Sequence, residues 1–173
     1  TGNSIVTLSA DGGTLLHGIT VRSGNTSTTT TYRSTNFSGA SPTWTAVSEL
    51  GTTEVRPAAD PVNAAKFYVY DPSNGSVRVS TNGGASFSVA STLAAGGSPW
   101  IRVAPGREGD VWVALRGGGL ARSTNSGGSF TTLGSVTACD AVGFGKTMTG
   151  ASYPSVFIWG TVAGQSARGL YRS

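Results

Sequence analysis

The stretch Ser80-Thr81-Asn82-Gly83-Gly84-Ala85-Ser86-Phe87 returns as Ser123-Thr124-Asn125-Ser126-Gly127-Gly128-Ser129-Phe130, and the shared pattern Ser-Thr-Asn-x-Gly-x-Ser-Phe decides the fold. Each copy follows a short apolar run ending in Val-Ser or Arg-Ser. Each then supplies an Asn and a Gly where a tight turn needs side-chain hydrogen bonding and positive φ. The closing aromatic can plug a core, so each copy reads as a β-hairpin whose turn folds on itself. A looser copy, Ser34-Thr35-Asn36, reaches its aromatic at Trp44 with three extra residues inside the turn. A bare beginning, Tyr171-Arg172-Ser173, stands at the C-terminus. The starts at Ser34, Ser80, Ser123 and Ser173 lie 43 to 50 residues apart, the spacing of four-stranded propeller blades. The chain is an array.

Composition agrees with many short strands. At 173 residues the chain suits one domain, only 12% of residues are charged and 26 are Gly, a mixture that favours turns and strands over long helices. The net charge of +4 comes from ten Arg and two Lys against eight acids. These charges are scattered with no basic stripe, which argues against a nucleic-acid partner. No run of about twenty apolar residues is present, so no membrane-spanning helix is expected. Cys139 is the single Cys, which excludes an internal disulfide and a thiolate metal site and reads as a buried small hydrophobe. His17, the single His, sits between Leu16 and Gly18 and reads as a strand residue rather than a zinc ligand or triad base. No metal or cofactor is expected. The missing initiator Met suggests a mature or excised piece, and the acceptor patterns at Asn25, Asn36 and Asn74 favour secretion only slightly.

Taken in order, the chain divides into four units, about 1–50, 51–93, 94–136 and 137–173. In the first, Ile5 to Ser9 and Thr14 to Val21 flank an Asp-Gly-Gly turn. The polar tract Ser23 to Thr31 reads as a long loop before a strand at Thr29 to Ser34, and Trp44 enters the core on a fourth strand. Units two and three repeat one grammar of strand, turn, alternating strand, turn, strand, Asn knot and strand. Unit four stops before its knot. The fold expected is therefore all-β, a β-propeller of three complete blades and an incomplete fourth. An open last edge is an aggregation hazard, which a propeller avoids by closing its ring. Closure would come from the remainder of a longer parent protein or from a second copy.

The Ser-x-Asn-x-Gly-x-x-aromatic pattern resembles the Asp-box (BNR) repeat of sialidases and other glycosidases, with Asn in the usual Asp position. By that resemblance Ser34, Asn36 and Trp44, then Ser80, Asn82, Gly84 and Phe87, then Ser123, Asn125, Gly127 and Phe130, are structural. The loops sharpen it. Asp60-Pro61-Val62-Asn63 before Lys66-Phe67-Tyr68, the run Val103 to Trp112, Asp140 to Lys146, and Gly150-Ala151-Ser152-Tyr153-Pro154 resemble in order and spacing the second half of the family 74 glycoside hydrolases, the xyloglucanases. The resemblance implies two seven-bladed propellers gripping a β-1,4-glucan, with hydrolysis by inversion between two aspartates. Inverting carboxyls lie roughly 6.5–9.5 Å apart so that one protonates the leaving oxygen and the other activates water. In that family both aspartates sit in Asp-x-Gly-Gly-aromatic settings, and neither setting occurs here. Asp11-Gly12-Gly13 lacks the intervening residue and the aromatic, so no residue is assigned a catalytic role.

Residues that could still meet a polysaccharide lie on the rim opposite the knots. Trp100 is the best candidate for stacking on a sugar face, with Arg56, Asp140, Arg116 and Asn74 beside it as polar contacts. Trp112 and Trp159, within alternating strands, are expected in the core. Two rival arrangements are Glu49 with Glu54 as an acid and base pair, and Arg56, Arg102 and Arg116 as a carboxylate clamp. The function implied is a portion of a secreted xyloglucan-degrading endo-β-1,4-glucanase that contributes to a substrate cleft. The alternative is a non-catalytic carbohydrate-binding or structural propeller that closes by self-association.

Overall fold

The computed structural model describes residues 3–173, and among them fifteen strands form four antiparallel sheets. Residues 1 and 2 of the expected first unit lie outside the described residues. The first sheet holds β1 (Asn3–Leu8), β2 (Leu15–Ser23), β3 (Thr26–Ser34) and β4 (Thr45–Ala46). The second holds β5 (Ala58–Ala59), β6 (Phe67–Tyr70), β7 (Ser76–Ser80) and β8 (Ser88–Thr92). The third holds β9 (Ile101–Val103), β10 (Val111–Ala114), β11 (Leu120–Ser123) and β12 (Thr131–Thr132). The fourth holds β13 (Val136–Thr147), β14 (Pro154–Val162) and β15 (Gly169–Arg172). Within each sheet every strand pairs only with its sequence neighbours, so each sheet is a simple meander. A 3-10 turn at Ser48–Leu50 is the single helical element among the described residues.

The sheets stack face to face in series, and period-two alternation explains how. All four residues of β6 are buried, as are all four of β10. Phe67 and Val69 join Leu16, Val47, Leu50 and Phe87 between the first and second sheets. Tyr68 and Tyr70 turn the other way, to Ile101, Val111 and Val113 between the second and third. Trp112 and Ala114, alternating with those valines, meet Leu120, Cys139, Val142 and Ile158 between the third and fourth. Full burial of one such large apolar side chain contributes about 1.5–3 kcal/mol. Serial stacking of meanders in this way is an open β-propeller arc of four blades.

The Asn turns close as the sequence suggests. Ser80 Oγ donates to Asn82 Oδ1 (2.9 Å) and accepts from Gly84 N (2.9 Å), while Asn82 Oδ1 also accepts from Ser86 N (3.1 Å). The second copy repeats this at Ser123, Asn125, Gly127 and Ser129 with distances of 2.8, 3.0 and 3.0 Å. In the stretched copy Thr43 takes over, its N and Oγ1 each 2.9 Å from Asn36 Oδ1. The glycines also touch the preceding sheet: a Cβ on Gly84 would lie 2.9 Å from Leu16 Cδ2, and one on Gly127 3.3 Å from Val79 Cγ2. Phe87 and Phe130 pack into the same two seams.

Three expectations need correction. The tract Ser23 to Thr31 is no long loop: β2 and β3 pair up to Ser23 with Thr26, around a two-residue turn led by Gly24 at φ +59°. The run of threonines that resembles a linker is β-branched, and such residues favour strands. Trp44 does not enter a core. It is 41% exposed and its ring meets His17 edge-on at 5.8 Å, because each knot aromatic seals the seam toward the preceding sheet and none precedes the first among the described residues. Trp159 is likewise 49% exposed, since Ile158 faces the third sheet and its neighbour on the strand faces away.

Gly84 and Gly24 offer a controlled comparison, since both have positive φ but nothing lies within 4 Å of a Cβ on Gly24. Gly24→Ala is expected to cost about 1 kcal/mol from backbone strain alone. Gly84→Ala is expected to cost about 1–3 kcal/mol more through overpacking on Leu16. Urea unfolding of the two variants checks the difference.

Candidate functional site

The end of the sheets opposite the Asn turns is built by the segments before β5 and β9 and by the β6–β7 and β10–β11 turns. Backbone bonds tie these together: Gly96 N donates to Pro72 O at 2.7 Å and Ser98 N to Ala114 O at 2.8 Å. Tyr70, fully buried, donates its hydroxyl to Ala94 O (2.6 Å) and accepts from Gly97 N (3.1 Å), fixing the link that delivers Trp100.

Two of the expected contact residues come together. Arg56 and Trp100 form a parallel bridge between the second and third sheets, and the Arg56 guanidinium carbon lies 4.1 Å from the Trp100 ring centre. Arg102, two residues further along the same strand direction, lies over the same ring at 4.6 Å. Glu54 pairs with Arg56 at 2.5 Å, while Arg56 Nε is buried and makes no hydrogen bond among the described residues. Burial, then the like charge of Arg56, lowers the Arg102 guanidinium from its ordinary value. Trp100 keeps 39% of its surface exposed. The result is a half-open indole flanked by two cations and one carboxylate, able to stack on a flat apolar face and to donate hydrogen bonds at its border.

The other candidates are placed nearby but used differently. Arg116 is exposed, in the left-handed region at φ 53°, and its backbone pairs with Cys139 at 2.7 and 2.8 Å. Asp140 sits at a register irregularity of β13 and its carboxylate pairs with Arg168 rather than Arg116. Asn74 is exposed, but its amide serves the turn: Nδ2 donates to Asp71 Oδ2 (3.2 Å) and Oδ1 accepts from Ser76 N (2.9 Å). Glu54 is spent on Arg56 and Glu49 is exposed, so the Glu49 and Glu54 pair has no shared geometry. Cys139 is buried, and burial raises its thiol to about 11, the chemistry of a packing residue. No group of three or more His, Cys, Asp or Glu is placed to hold a metal among the described residues.

Two buried carboxylates passed over in the sequence hold the seams. Asp60 accepts from Val62 N (2.9 Å), Asn63 N (2.9 Å), Gly109 N of the third sheet (2.8 Å) and the Tyr68 hydroxyl (2.8 Å). Asp110 accepts from Trp112 Nε1 (2.8 Å), Arg122 Nε and Nη2 (2.9 and 2.7 Å) and the Tyr153 hydroxyl (2.8 Å). Burial is the largest influence on each and opposes ionisation, yet the donors together hold both carboxyls below the ordinary range. Burial and then Asp110 push the Tyr153 hydroxyl up to about 12. The alternation Asp110-x-Trp112, with Arg122 opposite Trp112 in register, is the sequence signal that could have exposed this cluster. Asp11 and Glu108 are also held low. A general acid needs the reverse shift.

A propeller arc with an indole on its open rim is an architecture that many proteins share, and sequence comparison separates them. The chain is similar to xyloglucanases. It is 36% identical over 137 residues to one from a Paenibacillus species and 38% identical over 131 residues to one from Acetivibrio thermocellus, each match covering 75% of this chain. Among solved structures, a GH74 enzyme from Niastella koreensis superposes on 97% of the chain with a TM-score of 0.81 and 48% identity. The GH74 xyloglucanase from Xanthomonas campestris does so with a TM-score of 0.74 and 25% identity. The chain spans 13% and 15% of the two xyloglucanase sequences and 23% and 22% of the two solved chains. No protein-family model matches it.

Asp60 and Asp110 are more acidic folded than unfolded, so their ionised forms stabilise the fold above the usual carboxylate pKa of about 4. That contribution disappears as pH falls through the lower folded values. Asp60→Asn and Asp110→Asn are each expected to cost about 1–3 kcal/mol at neutral pH. Both are expected to show a flatter loss of stability on acidification, as read from urea midpoints across that range.

Proposed function

We propose that this chain is a portion of a secreted xyloglucan-degrading endo-β-1,4-glucanase. In this reading it supplies part of the substrate cleft and none of the catalytic aspartates, and the remainder of the parent protein closes a seven-bladed ring. Its Ser-x-Asn turns are Asp-box repeats in a structural role. The observation that carries the reading is the Trp100 platform on the rim of a chain similar to xyloglucanases. A glucan backbone offers axial C–H faces to an indole and equatorial hydroxyls to Arg56, while Arg116 and Asp140 border the same rim. Asn74 contributes only its exposed flank.

A second reading is favoured by one specific feature. Val6, Leu8, Ile19 and Val21 are exposed on the first sheet, and Trp159 and Leu170 on the last. Apolar faces at both ends suit a non-catalytic carbohydrate-binding or structural propeller that closes by self-association.

Titration with a xyloglucan oligosaccharide, followed by calorimetry, tests the first reading. Weak saturable binding is expected, reduced at least fivefold in Trp100→Ala with little change in unfolding midpoint, and no hydrolysis. Binding unaffected by Trp100→Ala would contradict the platform, and hydrolysis by the isolated chain would contradict the absence of catalytic aspartates. A discrete dimer at micromolar concentration would favour the second reading.

A further inference from the structure

We propose that Arg102, with Arg56 beside it on the Trp100 ring, binds the carboxylate of a uronic acid unit in an acidic polysaccharide, an assignment that rests on the glycan reading of this rim and specifies the sugar's charge. The guanidinium carbons of Arg56 and Arg102 lie 4.1 and 4.6 Å from one ring centre, so two cations share a single indole. Trp100 and Arg102 stand two residues apart and project on the same side of an extended segment. Arg56 is brought to them by the parallel bridge between the second and third sheets. Two like charges held this close on paired strands attract an anion.

Only one of the two cations is matched within the chain. Glu54 pairs with Nη2 of Arg56 at 2.5 Å. Arg102 forms no salt bridge among the described residues, and burial, then the like charge of Arg56, holds it below its ordinary value. Two other acids of this end are engaged elsewhere: Asp140 by Arg168, and Asp71 by Thr53, Ser73 and Asn74. One positive charge therefore remains, which suits a singly charged carboxylate better than a doubly charged phosphate. A carboxylate also presents two coplanar oxygens to the planar fork of a guanidinium.

The indole decides what carries the carboxylate. Trp100 keeps 39% of its surface exposed, an apolar area that answers to the C–H face of a pyranose. A free carboxylate would leave that area unused, and a neutral sugar would leave the Arg102 charge unmatched. A uronic acid joins both on one ring, its carboxylate on the carbon next to the ring oxygen. At the same end of the sheets Gly96 and Gly117 have nothing within 4 Å of a Cβ, so the turns they sit in leave open space for a polymer to continue past the site.

The probes are the methyl glycosides of glucuronic acid and of glucose, acetate and inorganic phosphate, each titrated into the whole chain while the Trp100 indole and Arg102 Nε signals are followed by NMR. The glucuronide is expected to bind about tenfold more tightly than the glucoside or acetate, and to weaken as salt is raised. Arg102→Gln is expected to remove that preference and to leave binding of a neutral xyloglucan oligosaccharide largely unchanged, whereas Trp100→Ala weakens both. Equal affinity for glucuronide and glucoside would overturn the assignment, as would acetate or phosphate binding as tightly as the glucuronide. Preference for the glucuronide with no binding of the neutral oligosaccharide would remove xyloglucan and keep the acidic sugar. Binding of the neutral oligosaccharide alone would do the reverse. Should Arg102→Gln fail to fold, the four small ligands on the unaltered chain still decide.

Discussion

Burial of β6 and β10 on both faces is the constraint on which the rest of the structure depends. A four-residue strand with every side chain buried needs a sheet on each side. Stacking in series is the arrangement that satisfies both strands at once. Side-chain alternation then assigns Phe67 and Val69 to one seam and Tyr68 and Tyr70 to the next, and the same division recurs at Val111, Trp112, Val113 and Ala114. Each sheet is short, so no sheet has a core of its own, and stability lies in the seams.

The seams are finished by polar devices at their two ends. Toward the knots, Asp60 reaches Gly109 and Asp110 reaches Tyr153, each carboxylate crossing from one sheet to the next. Arg33 donates to Gly83 O and Ser91 to Gly127 O, both at 2.6 Å, so the backbone of these two knots is held by the sheet before each. Asp60 and Asp110 are thereby committed to the seams, whereas at the opposite end the Trp100 ring stands at the surface beside Arg56 and Arg102. Trp100 keeps 39% of its surface exposed there, with both arginines stacked over its ring.

The array was legible because Ser-Thr-Asn-x-Gly-x-Ser-Phe carries its own hydrogen-bond partners within eight residues, so local chemistry alone fixes the turn. Trp112 could be placed in the core from alternation within a strand. Alternation alone could not place Trp44 and Trp159, because a two-faced strand is buried only where a sheet lies on each side. The threonine tract misled for a related reason: polarity suggests a loop, whereas β-branching and a Gly-Asn turn make a hairpin. At the rim, pairing of Arg56 with Trp100 spans two sheets, and Asp140 was drawn away by Arg168, a residue 28 positions later. Such pairings depend on how sheets are juxtaposed, which no local pattern records.

Native-state hydrogen exchange resolved by residue tests the two-sided burial most directly. Amides of Phe67–Tyr70 and Val111–Ala114 are predicted to exchange only through global unfolding, with β1 and β15 opening at lower free energy. Protection that is greatest in β2 and β3, or even across all fifteen strands, would contradict a structure held together by its seams.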